Sequence, residues 1–222
     1  RDDKLETAVS SAPAIDPEAV LYRQAAMVET AAAALLPPPS QTPQFYFLGL
    51  APSASQTVFK SEVLGAKAVF DTQLGAKGHS LAMINSHETL TRYPLASVSN
   101  LDLALARMAK VMRPDKDVLA LFVTSHGSAG LISVYLPGFP LNEIRPDTLV
   151  QALEKSKITN RVIIISACYS GSFIPALKGD NTLVMTAASA ETTSFGCSNE
   201  REWTYFGDAL FNHALKETNS LP

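Results

Sequence analysis

The sequence predicts an α/β fold: an open, mainly parallel sheet covered by helices on both faces. Three observations lead there. From Phe45 onward, short apolar runs alternate with longer segments of helical period, which is the strand, helix, strand order of a parallel sheet. Two of the runs, 118–125 and 162–166, are continuous and apolar with β-branched residues, as strands buried on both faces are. A chain of 222 residues that is 46% hydrophobic is also long enough to bury one sizeable core.

The elements follow in order. Residues 1–16 are polar and read as a disordered lead-in. Asp16 and Pro17 supply an N-cap and a first-turn proline for a helix over 17–36, which Pro37, Pro38 and Pro39 stop. Residues 1–40 thus form a lead-in with an appended helix, and 41–222 form the main domain. FYFLGLA (45–51) is the first buried strand, and 55–75 is a helix closed by Gly75. HSLAMIN (79–85) is a strand, 101–112 a helix capped by Asn100, and 117–127 a strand running into Ser125, His126 and Gly127. GLISVYLPG (130–138) alternates between flanking glycines, which suggests a short hairpin arm outside the main sheet. Pro146 opens a helix to about Lys157, 161–167 is a strand, 172–179 a short helix and 181–189 the last strand. A final helix spans 205–216.

Composition excludes some functions. The net charge of −3, with no Lys/Arg stripe, argues against a nucleic-acid or anionic-membrane surface. Peptides and proteins remain as partners. No apolar run reaches the roughly 18 residues of a membrane span. The chain opens on Arg1 and not on Met, so upstream residues are expected to have been cut away.

Chemistry gathers at two strand ends. Ligands of parallel sheets bind beyond the carboxyl ends of the strands, and there one run ends in His126-Gly127-Ser128 and another in Ala167-Cys168-Tyr169-Ser170-Gly171. If these strands are neighbours their tips lie about 4.8 Å apart, within reach of a thiol–imidazole pair. Either residue alone reads as a small core thiol or a satisfied histidine; together, each at a tip and each followed by small residues, they read as a nucleophile and its base. A cysteine attacks as thiolate, favoured by a neighbouring imidazolium or by the start of the following short helix. Gly127 and Gly171 let the backbone turn sharply and a substrate approach, and the amides of Gly127 and Cys168 can form an oxyanion hole. A Cys168–Cys197 disulfide is the alternative to a free nucleophile.

In their order along the chain these residues resemble the legumain family of cysteine peptidases, relatives of the caspases. The resemblance rests on Thr124-Ser125-His126-Gly127 and Ser166-Ala167-Cys168-Tyr169-Ser170-Gly171. It continues through Thr186-Ala187-Ala188, Thr193-Ser194-Phe195, Cys197 and Thr204-Tyr205-Phe206-Gly207-Asp208, covering roughly 45–215 and looking most like the bacterial members. It implies a caspase-like three-layer sandwich, peptidase C13 membership, and endopeptidase activity through a thioacyl-enzyme, with His126 as general base and acid and Cys168 as nucleophile. A transamidase or peptide ligase using the same pair, and a non-catalytic peptide-binding relative, are the rival readings. By family habit the setting is the bacterial cell envelope or secreted.

The resemblance also implies that Ser194 and Asp208 line the pocket for the residue before the scissile bond, P1. It departs in two places. Legumains carry a pocket Glu two residues before the nucleophile, where this chain has Ser166. They place an Asn and then an Arg-His pair after the first strand, where it has Ala51-Pro52-Ser53-Ala54. Asp208 without a compensating arginine makes a basic or small polar P1 residue as well suited as Asn.

The remaining candidates read as structural. His79 precedes its strand and is expected at the surface, His87 lies in a loop at the site's rim, and His213 sits on the last helix. Cys197 reads as an inert thiol near Ser194. No G-x-S-x-G elbow, G-x-G-x-x-G, P-loop or close-spaced His/Cys pair occurs, so neither metal nor nucleotide cofactor is expected.

Overall fold

The computed structural model describes residues 15–218, so the lead-in lies almost wholly outside the described residues. Helix α1 (Pro17–Ala33) starts where expected: Asp16 Oδ1 accepts from the N–H groups of Glu18 at 3.0 Å and Ala19 at 3.3 Å. It stops three residues short of the expected end. Its buried positions Val20, Gln24, Val28 and Ala32 fall at intervals of four, a stripe that packs on α3.

Strand β1 (Phe45–Ala51) and helix α2 (Thr57–Gln73) follow, then β2 (Ser80–Ile84), α3 (Val98–Val111) and β3 (Val118–Thr124). Gly127–Ser128 (β4) and Leu131–Ile132 (β5) form a small antiparallel arm outside the main sheet. Helix α4 (Pro146–Ser156), β6 (Asn160–Ser166), a 3-10 turn over Ser170–Phe173 leading into α5 (Ile174–Leu177), and β7 (Thr182–Thr186) complete the order. The last helix is not uniform. It opens as α6 (Tyr205–Gly207), widens to a π-helix over Asp208–Ala214 and closes as α7 (Leu215–Glu217).

The main sheet is five-stranded and parallel throughout, in the order β2-β1-β3-β6-β7. Alternate side chains feed two cores. Leu48, Leu50, Leu121 and Ile163 face α1, α3 and α4; Phe47, Phe122 and Ile164 face α2 and Phe211 of the last helix. The chain reverses its direction of travel across the sheet between β1 and β3, the switch point at which such sheets bind ligands.

Two local expectations are corrected. The cap of α3 is Ser97, whose Oγ accepts from the Asn100 N–H at 3.3 Å, and not Asn100. The Asn100 amide points inward, donating to Leu95 O at 2.8 Å and to Gln24 Oε1 at 2.9 Å. Gln24 Oε1 also accepts from Leu95 N at 2.7 Å, so α1 holds the loop before α3. Asn85 braces that loop from its other side, donating to Pro52 O at 2.6 Å and accepting from Ala96 N at 2.9 Å. His79 is 4% exposed and not a surface group. The Pro37 segment folds over it, with Nε2 at 3.3 Å from Pro37 O, and its ring meets Tyr46 edge-on at 4.9 Å.

The entry to β3 depends on Asp117, whose side chain is fully buried. Its carboxylate accepts from Gln44 N at 2.9 Å and from Arg113 N at 2.7 Å, Nε at 3.1 Å and Nη2 at 2.5 Å. Burial works to raise its pKa; the hydrogen bonds from Arg113 and Gln44 and the guanidinium charge outweigh it and hold the carboxyl below its ordinary value. Asp117→Ala is expected to lower stability by about 2–3 kcal/mol in urea unfolding at pH 7. A carboxyl depressed in the folded state stabilises above its unfolded pKa of about 3.9 and loses that contribution as pH falls through the folded value. The gap between parent and variant should therefore narrow below about pH 4.

Candidate active site

The register of β3 and β6 brings the two strand tips together. Thr124 pairs with Ser166, and the Ser125 N–H donates to Ser166 O at 3.1 Å. His126 and Cys168 each lie two residues beyond that pair, in the turns that leave the sheet there. The backbones touch: a Cβ on Gly127 would fall 2.5 Å from the Cys168 carbonyl oxygen, so the position requires glycine.

Each side chain is held by a different element. The His126 ring stands edge-on to Phe59 of α2 at 5.0 Å, and its carbonyl accepts from Ser133 N at 2.9 Å. Burial keeps the imidazole pKa below its ordinary value, so the ring is a neutral base at neutral pH. Cys168 Sγ accepts from Ser194 N at 3.3 Å and lies 3.5 Å from Ser194 Oγ. No hydrogen bond joins Sγ to the His126 ring among the described residues. The structure thus brings Ser194 onto the sulfur directly, while His126 leaves the adjoining strand end with its ring against Phe59.

The turn after Cys168 is strained and over-determined. Tyr169 adopts the left-handed conformation (φ 56°), uncommon for a bulky residue. Its N–H donates to Thr192 O at 2.8 Å, while its carbonyl accepts from Ser172 N at 3.0 Å and Ser172 Oγ at 2.6 Å. Gly127 sits opposite Ile132, but Ile132 exchanges its N–H and carbonyl bonds with Ile144, so the Gly127 amide faces out of the arm. An open groove of about 650 Å³, lined by Tyr169, Ala188, Thr192, Thr193 and Phe195, lies beside the turn.

The other predicted residues are placed as follows. Ser166 is 2% exposed and lies beneath the site, its hydroxyl 3.0 Å from Thr204 Oγ1. Asp208 begins the π-helix; its Oδ1 accepts from Asn212 Nδ2 at 2.8 Å and its Oδ2 is 3.7 Å from His213 Nε2. His213 is exposed, and His87 is an exposed loop residue whose Nε2 is 3.0 Å from Pro137 O. Both cysteines are free. Burial, with Cys168 and Glu62 nearby, pushes the Cys197 thiol up to about 11 and keeps it protonated.

Sequence reasoning passed over the residue that underlies all of this. Glu62 of α2 is fully buried. Thr124 Oγ1 donates to its Oε2; Thr204 donates to its Oε1 from N at 3.2 Å and from Oγ1 at 2.6 Å. A carboxyl group therefore lies one hydroxyl away from Ser166. The signal was available: Val58, Phe59, Val63 and Ala66 form the inner stripe of α2, and Glu62 falls within it.

The family model of the peptidase C13 family matches residues 96–222. Among solved structures the chain is similar to caspase-1 from Spodoptera frugiperda, with a TM-score of 0.53 and 16% identity, over 81% of this chain and 75% of that one. That likeness concerns the fold, a caspase-like α/β sandwich. No curated protein matches the chain.

The Glu62 carboxyl leaves no room at Gly207, where an added Cβ would overlap Oε1. Gly207→Ala is expected to cost about 1–3 kcal/mol in chemical unfolding. Gly179→Ala, whose Cβ would meet only Thr182 at 3.8 Å, should stay within about 0.5 kcal/mol of the parent. Equal stability of the two variants would show that the fit around Glu62 is loose.

Proposed function

The chain belongs to the peptidase C13 family of cysteine peptidases, and on that footing we propose that it cuts peptide bonds within peptides or proteins through a Cys168–His126 pair. One observation carries this reading: the Thr124–Ser166 register, which sets both residues two positions past adjoining strand ends. Cys168 Sγ attacks the scissile carbonyl carbon as its proton passes to the neutral His126 imidazole. The C–N bond breaks while the imidazolium returns that proton to the leaving amine, leaving a thioester on Sγ. His126 then deprotonates a water, which attacks the thioester and releases the acid and the thiol.

The amides of Gly127 and Cys168 receive the oxyanion in this scheme. The outward-facing Gly127 amide supports the assignment, and so does the Cys168 amide, which meets no acceptor among the described residues. Ser194 orients the sulfur and, with Asp208, lines the P1 pocket above the Ser166 hydroxyl. The groove beside Tyr169 and Phe195 takes the peptide where it continues past the nucleophile.

Cys168→Ala and His126→Ala should each lose at least about a thousandfold in peptide cleavage. Cys168→Ala should take up no peptidyl acyl probe. Equal labelling of parent and variants would identify a peptide-binding relative in place of an enzyme. The Asp208 carboxylate favours a P1 side chain that donates hydrogen bonds or carries positive charge. Profiling across all P1 residues should rank Lys, Arg or Asn above Asp and Glu, and Asp208→Ala should flatten that order. Preference for an acidic P1 residue in the parent would remove Asp208 from the pocket.

A further inference from the structure

Helix α2 carries a carboxyl group into the place where the base strand, the nucleophile strand and the helix bearing Asp208 meet. Glu62 has no cation paired with it among the described residues; hydroxyls and one amide satisfy it instead. Its hydrogen bond with Thr124 holds the last residue of β3, two before His126. Thr204, bonded to its other oxygen, lies 3.0 Å from the Ser166 hydroxyl at the end of β6, two before Cys168. Thr204 also caps the last helix, its Oγ1 accepting from Gly207 N at 3.1 Å. An apolar residue would join α2 to the sheet without the desolvation that a buried carboxyl incurs. Packing alone does not account for it.

We infer that Glu62 is a positioning residue for the peptidase reaction: through Thr124 on one side, and Thr204 and Ser166 on the other, its carboxyl fixes the relative height and spacing of His126 and Cys168. This rests on the pair proposed above. Burial raises the Glu62 carboxyl above its ordinary range in spite of the hydrogen bonds from Thr124 and Thr204. Its Oε1 accepts from Thr204 and its Oε2 from Thr124. Glutamine is its uncharged isostere. Displacement of a reacting pair slows proton and acyl transfer more than it weakens peptide binding.

The test is steady-state cleavage of fluorogenic peptides with Lys or Asn at P1, with iodoacetamide alkylation of Cys168 followed by mass spectrometry. It uses the full chain as parent, Glu62→Ala, Glu62→Gln and Thr124→Val, each checked for cooperative unfolding. Glu62→Ala and Thr124→Val should lose about tenfold or more in kcat with KM within about threefold of the parent, and Glu62→Gln should recover kcat to within about threefold. Parent-like kcat in Glu62→Ala overturns the inference, as does parent-like kcat in Thr124→Val should Glu62→Ala fail to fold. So does a Glu62→Gln as slow as Glu62→Ala, or a loss confined to KM. A parent that neither cleaves peptide nor alkylates at Cys168 faster than free cysteine overturns the proposed pair, and this inference with it. Failure of the brace alone shows instead as an active parent with equally active variants.

Discussion

The in-register parallel pairing of β3 with β6 is the constraint on which the rest of the structure depends. A parallel ladder leaves no freedom of height along its length: once Thr124 lies beside Ser166, the turns that carry His126 and Cys168 leave the sheet from adjoining strand ends. The hydrophobic pattern enforces that pairing, because a slip of one residue would turn Leu121, Ile163 and Ile165 from one core to the other. Both strands are buried on their two faces, so such a slip would misplace large side chains on each. The site is the visible end of a register set deep in the sheet.

Polar groups reinforce at the strand ends what apolar packing sets along their length. The Glu62 carboxyl with Thr124, Thr204 and Ser166 forms a closed hydrogen-bonded cluster under the site, and Asp117 with Arg113 and Gln44 forms another at the opposite end of β3. The two differ in charge. Asp117 is ionised and matched by a guanidinium, whereas Glu62 has only hydroxyls and an amide, and burial favours its neutral form. The strand is thus pinned by charge where it enters the sheet and by neutral hydrogen bonds where it leaves.

The strands, and the position of His126 and Cys168 just past two adjoining strand ends, were legible in the sequence because each signal is local. A continuous apolar run gives a buried strand, and the polar residue that ends it marks the edge of the sheet. The N-cap at Asp16 was legible for the same reason. What escaped depends on contacts between distant segments. Ser97 and Asn100 are both able to cap a helix, and only the Gln24 amide, 76 residues from Asn100, decides that Asn100 turns inward. His79 is buried by a proline segment 42 residues before it. Glu62 lies on the apolar face of α2, and what it does there is set by Thr124 and Thr204, from 62 and 142 residues away. The π-widening over Asp208–Ala214 has no distinguishing period in so short a span.

The amide bonds between α1 and the loop before α3 bear on how stability is distributed. Residues 85–97 lack an extended ladder of their own, and Leu95 and Ala96 give their N–H groups to the side chains of Gln24 and Asn85. The loop's order is therefore borrowed from a helix some seventy residues earlier and from Asn85, just past β2. The loop follows β2, which β1 separates from β3 in the sheet. The loop thus draws its order from side chains, whereas the β3 and β6 tips draw theirs from a backbone ladder closed by Glu62, Thr124 and Thr204.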